Sequence, residues 1–410
     1  MGTARQNGEK MKAAIIGASG EAIHTIKKAH EYGIEIAALD GNPEAEGLKY
    51  ADYPLVVDIS DEESTIEALR KEKPDFILTV PIGRYLTTIG AVNDALGLPG
   101  IGRQEAALCT DKWKFHQRLS SRGLRDCRCY LVEEGKLVAE EKSTGQDFEM
   151  NLNQIQIQIS FPAILKPRYG SGSRGLFMPA NAGELKEALL KTEGEPYVLE
   201  ECVAGEEYGV DGAVTKEGFA MVLLRRKENT PPPARQAVGY YSVPPTDAFW
   251  QQAEAYMQQV IACLNLKECL LHADLIRGQK GPFIIELSAR PSGHNLHNLF
   301  TPLCTGVDMA EEYIRYRLGR AYSFVPKRTK SMLIHYFDMQ GKVKNVPDVK
   351  QAEAALDVRL AAWNCHIKEG EELVPVSDGH SVMGRGYFVL EGTGDVFLHG
   401  QAEKLKRLFF

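Results

Sequence analysis

The chain has 410 residues, 44% of them hydrophobic and 25% charged, with a formal net charge of −7. That length allows two or three subdomains with cores of their own, and the composition is that of a globular chain. The acidic balance and the scattered Lys and Arg argue against nucleic acid or an anionic membrane surface as the main partner, and no long uninterrupted apolar segment offers a membrane span. Residues 1–10 (MGTARQNGEK) are polar, without an apolar signal core, and read as a leader, with Met11 as an alternative start. The eight cysteines are irregularly spaced, and Cys127-Arg128-Cys129 has no matching His/Cys cluster in the sequence. Reduced cysteines and a cytoplasmic location are the expectation.

In chain order, Met11 to Gly17 (MKAAIIG) reads as an apolar strand, followed by Gly17-Ala18-Ser19-Gly20, a helical pattern, and a second strand from Ile34 to Leu39 that ends at Asp40. This opens like a nucleotide-binding βαβ unit, but the glycines are spaced GxxG rather than GxGxxG, so NAD is not expected. A strand at 76–80 leads into Pro81-Ile82-Gly83-Arg84, at the carboxyl end of a strand where open α/β sheets place ligands. Arg84 is therefore a candidate for an anionic substrate group, with a solvated surface arginine as the alternative. The turn-rich stretch Leu98 to Gly102 marks a first domain boundary. A helix then runs to about Ser121, capped by Thr110 or Asp111. Lys112 at its start opposes the helix dipole, which suggests a partner for its charge. Residues 151–160 (NLNQIQIQIS) alternate as a surface strand would.

Phe161 to Leu165 reads as a buried strand. Lys166 follows it, then Arg168-Tyr169-Gly170-Ser171-Gly172-Ser173-Arg174-Gly175. Glycines this close permit positive φ, and successive free N–H groups form a nest for an anion. The lysine precedes the glycines and no GKS or GKT follows them, so this is not a Walker loop. Tyr197 to Gly212 brings carboxylates around an apolar strand. Lys227 to Pro245 is Pro-rich and reads as irregular, a connection or a lid. A helix spans Phe249 to Leu264. Strands at 270–276 and 282–290 flank a turn at Gly278 to Gly281. With a period of two, His272 and Asp274 share one face of the first strand, and Glu286, Ser288 and Arg290 share one face of the second. Antiparallel pairing would bring Asp274 and Glu286 together as hard oxygen ligands for Mg²⁺; the alternative is a solvent-facing sheet with charge pairs. In the following loop (PSGHNLHN) His294 and His297 lack a third ligand at zinc spacing, which leaves substrate contact or loop packing for His294. From about Lys327 a segment of short strands and turns closes the chain, its clearest strand at Ser381 to Leu390.

Together these residues resemble the ATP-grasp superfamily, most specifically over 111–295, with the tail and the ARPSGHN loop most similar to its L-amino acid ligase branch. The resemblance implies an α/β, ATP-grasp fold with an N-terminal doubly wound βαβ domain (11–108), an ATP-grasp domain (109–325) whose mobile lid covers approximately 122–199, and a C-terminal α+β closing subdomain (326–410). It implies ATP held by Lys112, Lys166, Ser171, Gly172, Ser173, Glu200, Glu201, Val203 and Glu207. It implies Mg²⁺, replaceable by Mn²⁺, on Asp274, Glu286 and Ser288, with Ser288 standing where the family commonly has Asn and Asp274 where Glu is frequent. Arg290 would steady the phosphate or developing oxyanion, and His272 would hydrogen-bond it or act as acid/base. Arg84 and His294 remain substrate candidates. The implied reaction is carboxylate–amine ligation through an acyl phosphate, on small-molecule substrates, by a homodimer. The alternatives are a bicarbonate-dependent carboxylase, a purine-pathway ligase, or a non-catalytic nucleotide-binding protein.

Overall fold

A computed structural model describes residues 10–140, 159–170, 172, 174–192, 194–231 and 235–410. The first unit is a parallel sheet of β1 (Lys12–Ile16), β2 (Glu35–Asp40), β3 (Tyr53–Val56) and β4 (Phe76–Ile77), in the order β3-β2-β1-β4. The near-continuous apolar runs of β1 and β2 suit strands covered on both faces. Successive residues of β1 do go to opposite cores. Ala13 and Ile15 pack with Ile26 and Ala29 of the helix Ile23–Glu31, and Ala14 and Ile16 with Leu86, Ile89 and Val92 of the helix Leu86–Leu96. Asp40 ends β2 by accepting a hydrogen bond from Ala18 N at 2.7 Å, which fixes the turn opened by Gly17 at φ 91°.

A small antiparallel sheet follows, β5 (Cys129–Glu133), β6 (Lys136–Glu140), β7 (Ala163–Pro167) and β8 (Tyr197–Glu201), in the order β6-β5-β8-β7. Its apolar face closes on the helix Ala182–Leu189 through Leu165, Leu185, Leu189 and Leu199. The alternating stretch expected at 151–160 lies outside the described residues up to 158.

The largest sheet holds β9 (Glu206–Thr215), β10 (Gly218–Asn229), β11 (Ala237–Val243), β12 (Cys269–Gly278), β13 (Gly281–Ser288), β14 (Met332–Tyr336), β16 (Arg359–Cys365) and β18 (Gly386–Glu391). Its order is β13-β12-β9-β10-β11-β14-β18-β16, while β15 (Gly341–Lys342) and β17 (Glu372–Leu373) form a separate pair. Because β14 pairs with β11, the sheet runs on across residue 326. The helix Ala248–Leu264 covers one face through Phe249, Met257, Val260 and Leu264.

Two sequence expectations are corrected. Lys227 to Pro245 is not irregular, because antiparallel pairing of Leu224–Asn229 with Ala237–Val243 carries two strands through it, with Pro231 in their connection and Pro244 and Pro245 after the second strand. Ser381 to Met383 belongs to a short helix, Gly379–Met383, rather than to a strand. The Asp378 carboxylate accepts from Ser381 N at 2.8 Å, a local bond that favours a helix start over extension. No helix among the described residues is long and apolar enough to cross a membrane.

Candidate functional site

The three sheets surround a cavity of about 370 Å³, the size of a small-molecule site. Its floor is the β12–β13 pair. The register sets His272 opposite Ser288 and Asp274 opposite Glu286, so the face expected from the period of two is formed. Asp274 pairs with Lys227 of β10, a buried lysine. Burial works against that lysine's charge, but Asp274 and the neighbouring acids outweigh it and hold its pKa above the ordinary value. The second oxygen of Asp274 is buried without a hydrogen-bond partner, and the His272 ring stands 3.6 Å from it. An orphaned carboxylate oxygen facing Glu286 is the donor chemistry a hard divalent cation takes, so Asp274 and Glu286 fit Mg²⁺. The His116, Cys129 and Glu200 side chains also converge, but Glu200 already faces two cations and the His116 Nδ1 accepts from Arg125 at 2.6 Å. That cluster is an ion-pair core rather than a metal site.

The wall opposite the floor carries the two lysines singled out in the sequence. Asp111 caps the helix Lys112–Ser120 by accepting from Trp113 N and Lys114 N. The same carboxylate receives two bonds of 2.8 Å from Arg168, at the end of the strand that leads into the glycine loop. This ties the helix start to the loop, and the partner expected for Lys112 is the Gly170 carbonyl at 2.8 Å. Burial, with Lys166 nearby, lowers the Lys112 pKa. Gly170, Gly172 and Gly175 take φ of 118°, 74° and 68°, conformations that only glycine adopts without strain. Ser171 and Ser173 lie outside the described residues.

Lys166 Nζ stands 2.8 Å from Glu200, whose carboxylate also receives Arg125 at 2.9 and 3.0 Å. Glu200 is 3% exposed. Burial alone would raise its pKa, yet Arg125 and Lys166 together hold it well below the usual carboxylate range. Glu200 therefore aims Lys166 into the cavity. Arg125 was not singled out in the sequence; it is buried, and its Nε donates to the Ile284 carbonyl at 3.1 Å.

Beyond Glu200 the strand turns into an apolar slot. Val203 packs with Ile276, Phe283 and Ile285, and Ile164, Leu176 and Met178 complete the lining. The Glu201 carboxylate accepts from Arg128 N at 2.9 Å and its own N–H donates to the Arg128 carbonyl at 3.1 Å, so the backbone that lines the slot is the stretch after the strand, Cys202 and Val203. Glu207 is paired with Arg235, a residue from the β10–β11 connection that the sequence reading passed over.

At the opposite end stands Arg290. It is half-buried, donates to the Pro291 carbonyl at 2.8 Å, and keeps its buried Nε without a partner. Residues 291–298 are held from behind by a buried network. Arg225 pairs with Asp211 at 2.7 and 3.0 Å and reaches Ser292 Oγ at 3.4 Å, while Thr301 also donates to Asp211. His294 and Asn295 both have positive φ, 61° and 57°, a conformation costly for residues with a Cβ. The His294 carbonyl receives the Tyr336 hydroxyl at 2.6 Å. Burial, with Arg290 nearby, lowers the pKa of His272 to about 3 and that of His294 to about 4. Both rings are neutral at ordinary pH, so His272 suits hydrogen bonding rather than proton donation.

The first cavity gathers Lys112, Lys166, Gly172, Glu200, Glu201, Val203, Glu207, His272, Asp274, Glu286, Arg290 and His294. Arg84 and Ser288 instead line a smaller adjoining cavity of about 50 Å³, which shares Lys112, His272, Glu286 and Arg290 with the first. Arg84 is exposed and does not meet His294 there. The N-terminal sheet also contributes Glu21, absent from the sequence candidates, whose Oε1 accepts from Asn295 N at 3.1 Å.

Residues 159–297 match the family model described as "ATP-grasp domain". A dapdiamide A synthase of Enterobacter agglomerans is 28% identical over 182 residues, 40% of this chain and 42% of that protein. An uncharacterised protein of Sinorhizobium fredii is 24% identical over 310 residues, 72% of this chain and 59% of that protein. The chain thus spans less than two thirds of the length of these curated relatives. Among solved structures, an L-amino acid ligase from Bacillus licheniformis superposes with a TM-score of 0.75 at 15% identity, covering 97% of this chain and 98% of that one. A phosphoribosylglycinamide synthetase from Anaerococcus prevotii does so with a TM-score of 0.69 at 18% identity, with the same two coverages. The chain has the ATP-grasp fold, and the ATP-grasp domain match falls on the stretch that supplies most of the cavity lining.

Proposed function

We propose that this ATP-grasp chain is an ATP-dependent ligase that activates a small-molecule carboxylate as an acyl phosphate and joins it to an amine, releasing ADP and phosphate. The observation that carries this reading is the grouping of Lys112, Lys166, Lys227 and Arg290 with Asp274 and Glu286 at one part of a cavity whose other part is an apolar slot. The slot of Val203, Ile276 and Phe283 suits a purine, with the backbone from Glu201 to Val203, where β8 ends, offering groups to its ring. Glu207 would take the ribose once Arg235 moves off it. Lys112, Lys166 and Gly172 would hold the phosphates, together with Ser171 and Ser173, the other phosphate candidates in the sequence.

In the first step a substrate carboxylate oxygen attacks the γ-phosphorus and ADP leaves. In the second, the amine attacks the acyl carbon and phosphate leaves. Both steps gather negative charge, and positioned cations in a site shielded from water are the main way a protein stabilises it. Arg290 would steady the transferred phosphoryl group, and neutral His272 would donate a hydrogen bond to it. Asp274 and Glu286 would hold Mg²⁺, or Mn²⁺ in its place, which when bound supplies further neutralisation of phosphate charge. Closure of the glycine loop would keep water from the acyl phosphate. A homodimer, a cytoplasmic location and the three segments 11–108, 109–325 and 326–410 belong to the same proposal. The test is Mg-ATP turnover across amino acids and other small acids, singly and in pairs, with mass spectrometry of the products. ADP and phosphate that appear only with a carboxylate, with a condensed product in the presence of an amine, support the reading. ATP bound without any turnover across the panel refutes it.

A further inference from the structure

The end of the cavity beyond Arg290 is built from three loops that are distant in sequence. Glu21 follows β1, Pro81 and Ile82 follow β4, and Ser292 to Leu296 follow β13. A Cβ on Gly293 would stand 3.3 Å from Glu21 Oε2 and 3.5 Å from Pro81 Cβ, so the three loops meet at van der Waals range. Glu21 Oε1 is held by Asn295 N, on the strained turn that the Asp211–Arg225 network supports. Glu21 and Arg290 act on each other electrostatically, yet no ion pair closes between them among the described residues. An acid and a guanidinium that share a cavity without neutralising each other form a two-point receptor. Pro81, Ile82 and Leu296 give this end apolar lining, and His294 is neutral.

From this juxtaposition, and resting on the ligase reading above, we infer that Glu21 is a specificity-determining residue that binds the ammonium group of a zwitterionic α-amino acid while Arg290 faces the carboxylate to be activated. The chemistry of the pocket selects this class. A substrate with a phosphate at the same end would set its charge against the Glu21 carboxylate, and a plain carboxylic acid would leave that carboxylate facing an apolar group. Burial pushes the Glu21 carboxyl up, while the Asn295 N–H and Arg290 draw it down. A substrate cation would offset the cost of that burial further. The side chain of the amino acid would then face Pro81, Ile82 and Leu296, a wall suited to small or apolar groups.

The experiment isolates the carboxylate half-reaction by using hydroxylamine as the amine. Hydroxylamine attacks the acyl carbon, phosphate leaves, and the hydroxamate is measured together with ADP. Amino acids are compared with their deamino analogues, alanine with propionate and phenylalanine with 3-phenylpropionate, in the unmodified protein and in Glu21→Gln. The amide is isosteric and keeps an oxygen for the Asn295 N–H. A hydrogen bond to a charged group contributes about 1.5–3 kcal/mol, or roughly 10- to 150-fold. The expected result is a preference of that order in kcat/KM for the amino acid, which collapses in Glu21→Gln through KM while KM for ATP stays unchanged. Equal use of the deamino acids by the unmodified protein overturns the inference and leaves the ligase standing, as does a preference that survives in Glu21→Gln. Absence of both hydroxamate and ADP with every acid overturns the ligase reading and the inference with it. The unmodified protein alone already discriminates these outcomes, so the inference can fail even where Glu21→Gln does not fold.

Discussion

Glu200→Gln removes the carboxylate that Arg125 and Lys166 share, without changing the size of the side chain. The side chains of Glu200, Arg125 and Lys166 are 4%, 1% and 9% exposed, so water cannot replace the lost charge. Breaking a buried pair from one side costs about 3–5 kcal/mol, and the remaining amide oxygen, still able to accept one bond, places this variant near the lower figure, about 3 kcal/mol. The pH dependence is signed. Glu200 is held well below the usual carboxylate range in the folded chain, so its contribution is present above its unfolded pKa of about 4.3 and is lost as pH falls toward the folded value. Urea unfolding should therefore show the full gap between wild type and Glu200→Gln at about pH 7 and a narrowing gap below about pH 4. A variant within about 0.5 kcal/mol of wild type at neutral pH, or a gap that stays constant through the acid range, would refute the argument.

Three further outcomes follow from the same geometry. Lys166→Met should raise KM for ATP by roughly 10- to 100-fold, since a charged hydrogen bond to phosphate is lost; isothermal titration with a non-hydrolysable ATP analogue checks it. Glu286→Gln should lower turnover by about 100-fold or more and raise the Mg²⁺ concentration needed for half-maximal rate, read from a metal titration of ADP formation. Gly90→Ala places a Cβ 2.6 Å from the Gly102 carbonyl oxygen, a backbone atom that cannot swing away, and should cost about 1–3 kcal/mol by thermal or urea unfolding.

The sequence made the local geometry legible and hid the long-range pairings. Lys112 was found because a cationic residue just inside a helix start is unusual, and its partner proved to be the Gly170 carbonyl. Asp274 and Glu286 were found because the period of two fixes faces, and the register set them opposite each other. Lys227 was hidden inside a Pro-rich stretch that looks irregular until β11 pairs with it. Glu21 meets Asn295 across 274 positions, a contact no local pattern announces. Arg125 and Arg225 read as ordinary charged residues, because their burial is a property of packing and not of their neighbours in sequence. Glu200 sits on the strand expected for it, but what its carboxylate does, holding Lys166, is visible only in three dimensions.

The central claim is tested most directly by phosphate release from Mg-ATP with single acids and with acid–amine pairs. The account predicts ADP and phosphate in equal amounts, dependence on a carboxylate, and one condensed product whose mass is that of the pair less one water. Phosphate release that ignores the acid, or ATP that binds and is never turned over with any acid or pair, would contradict it.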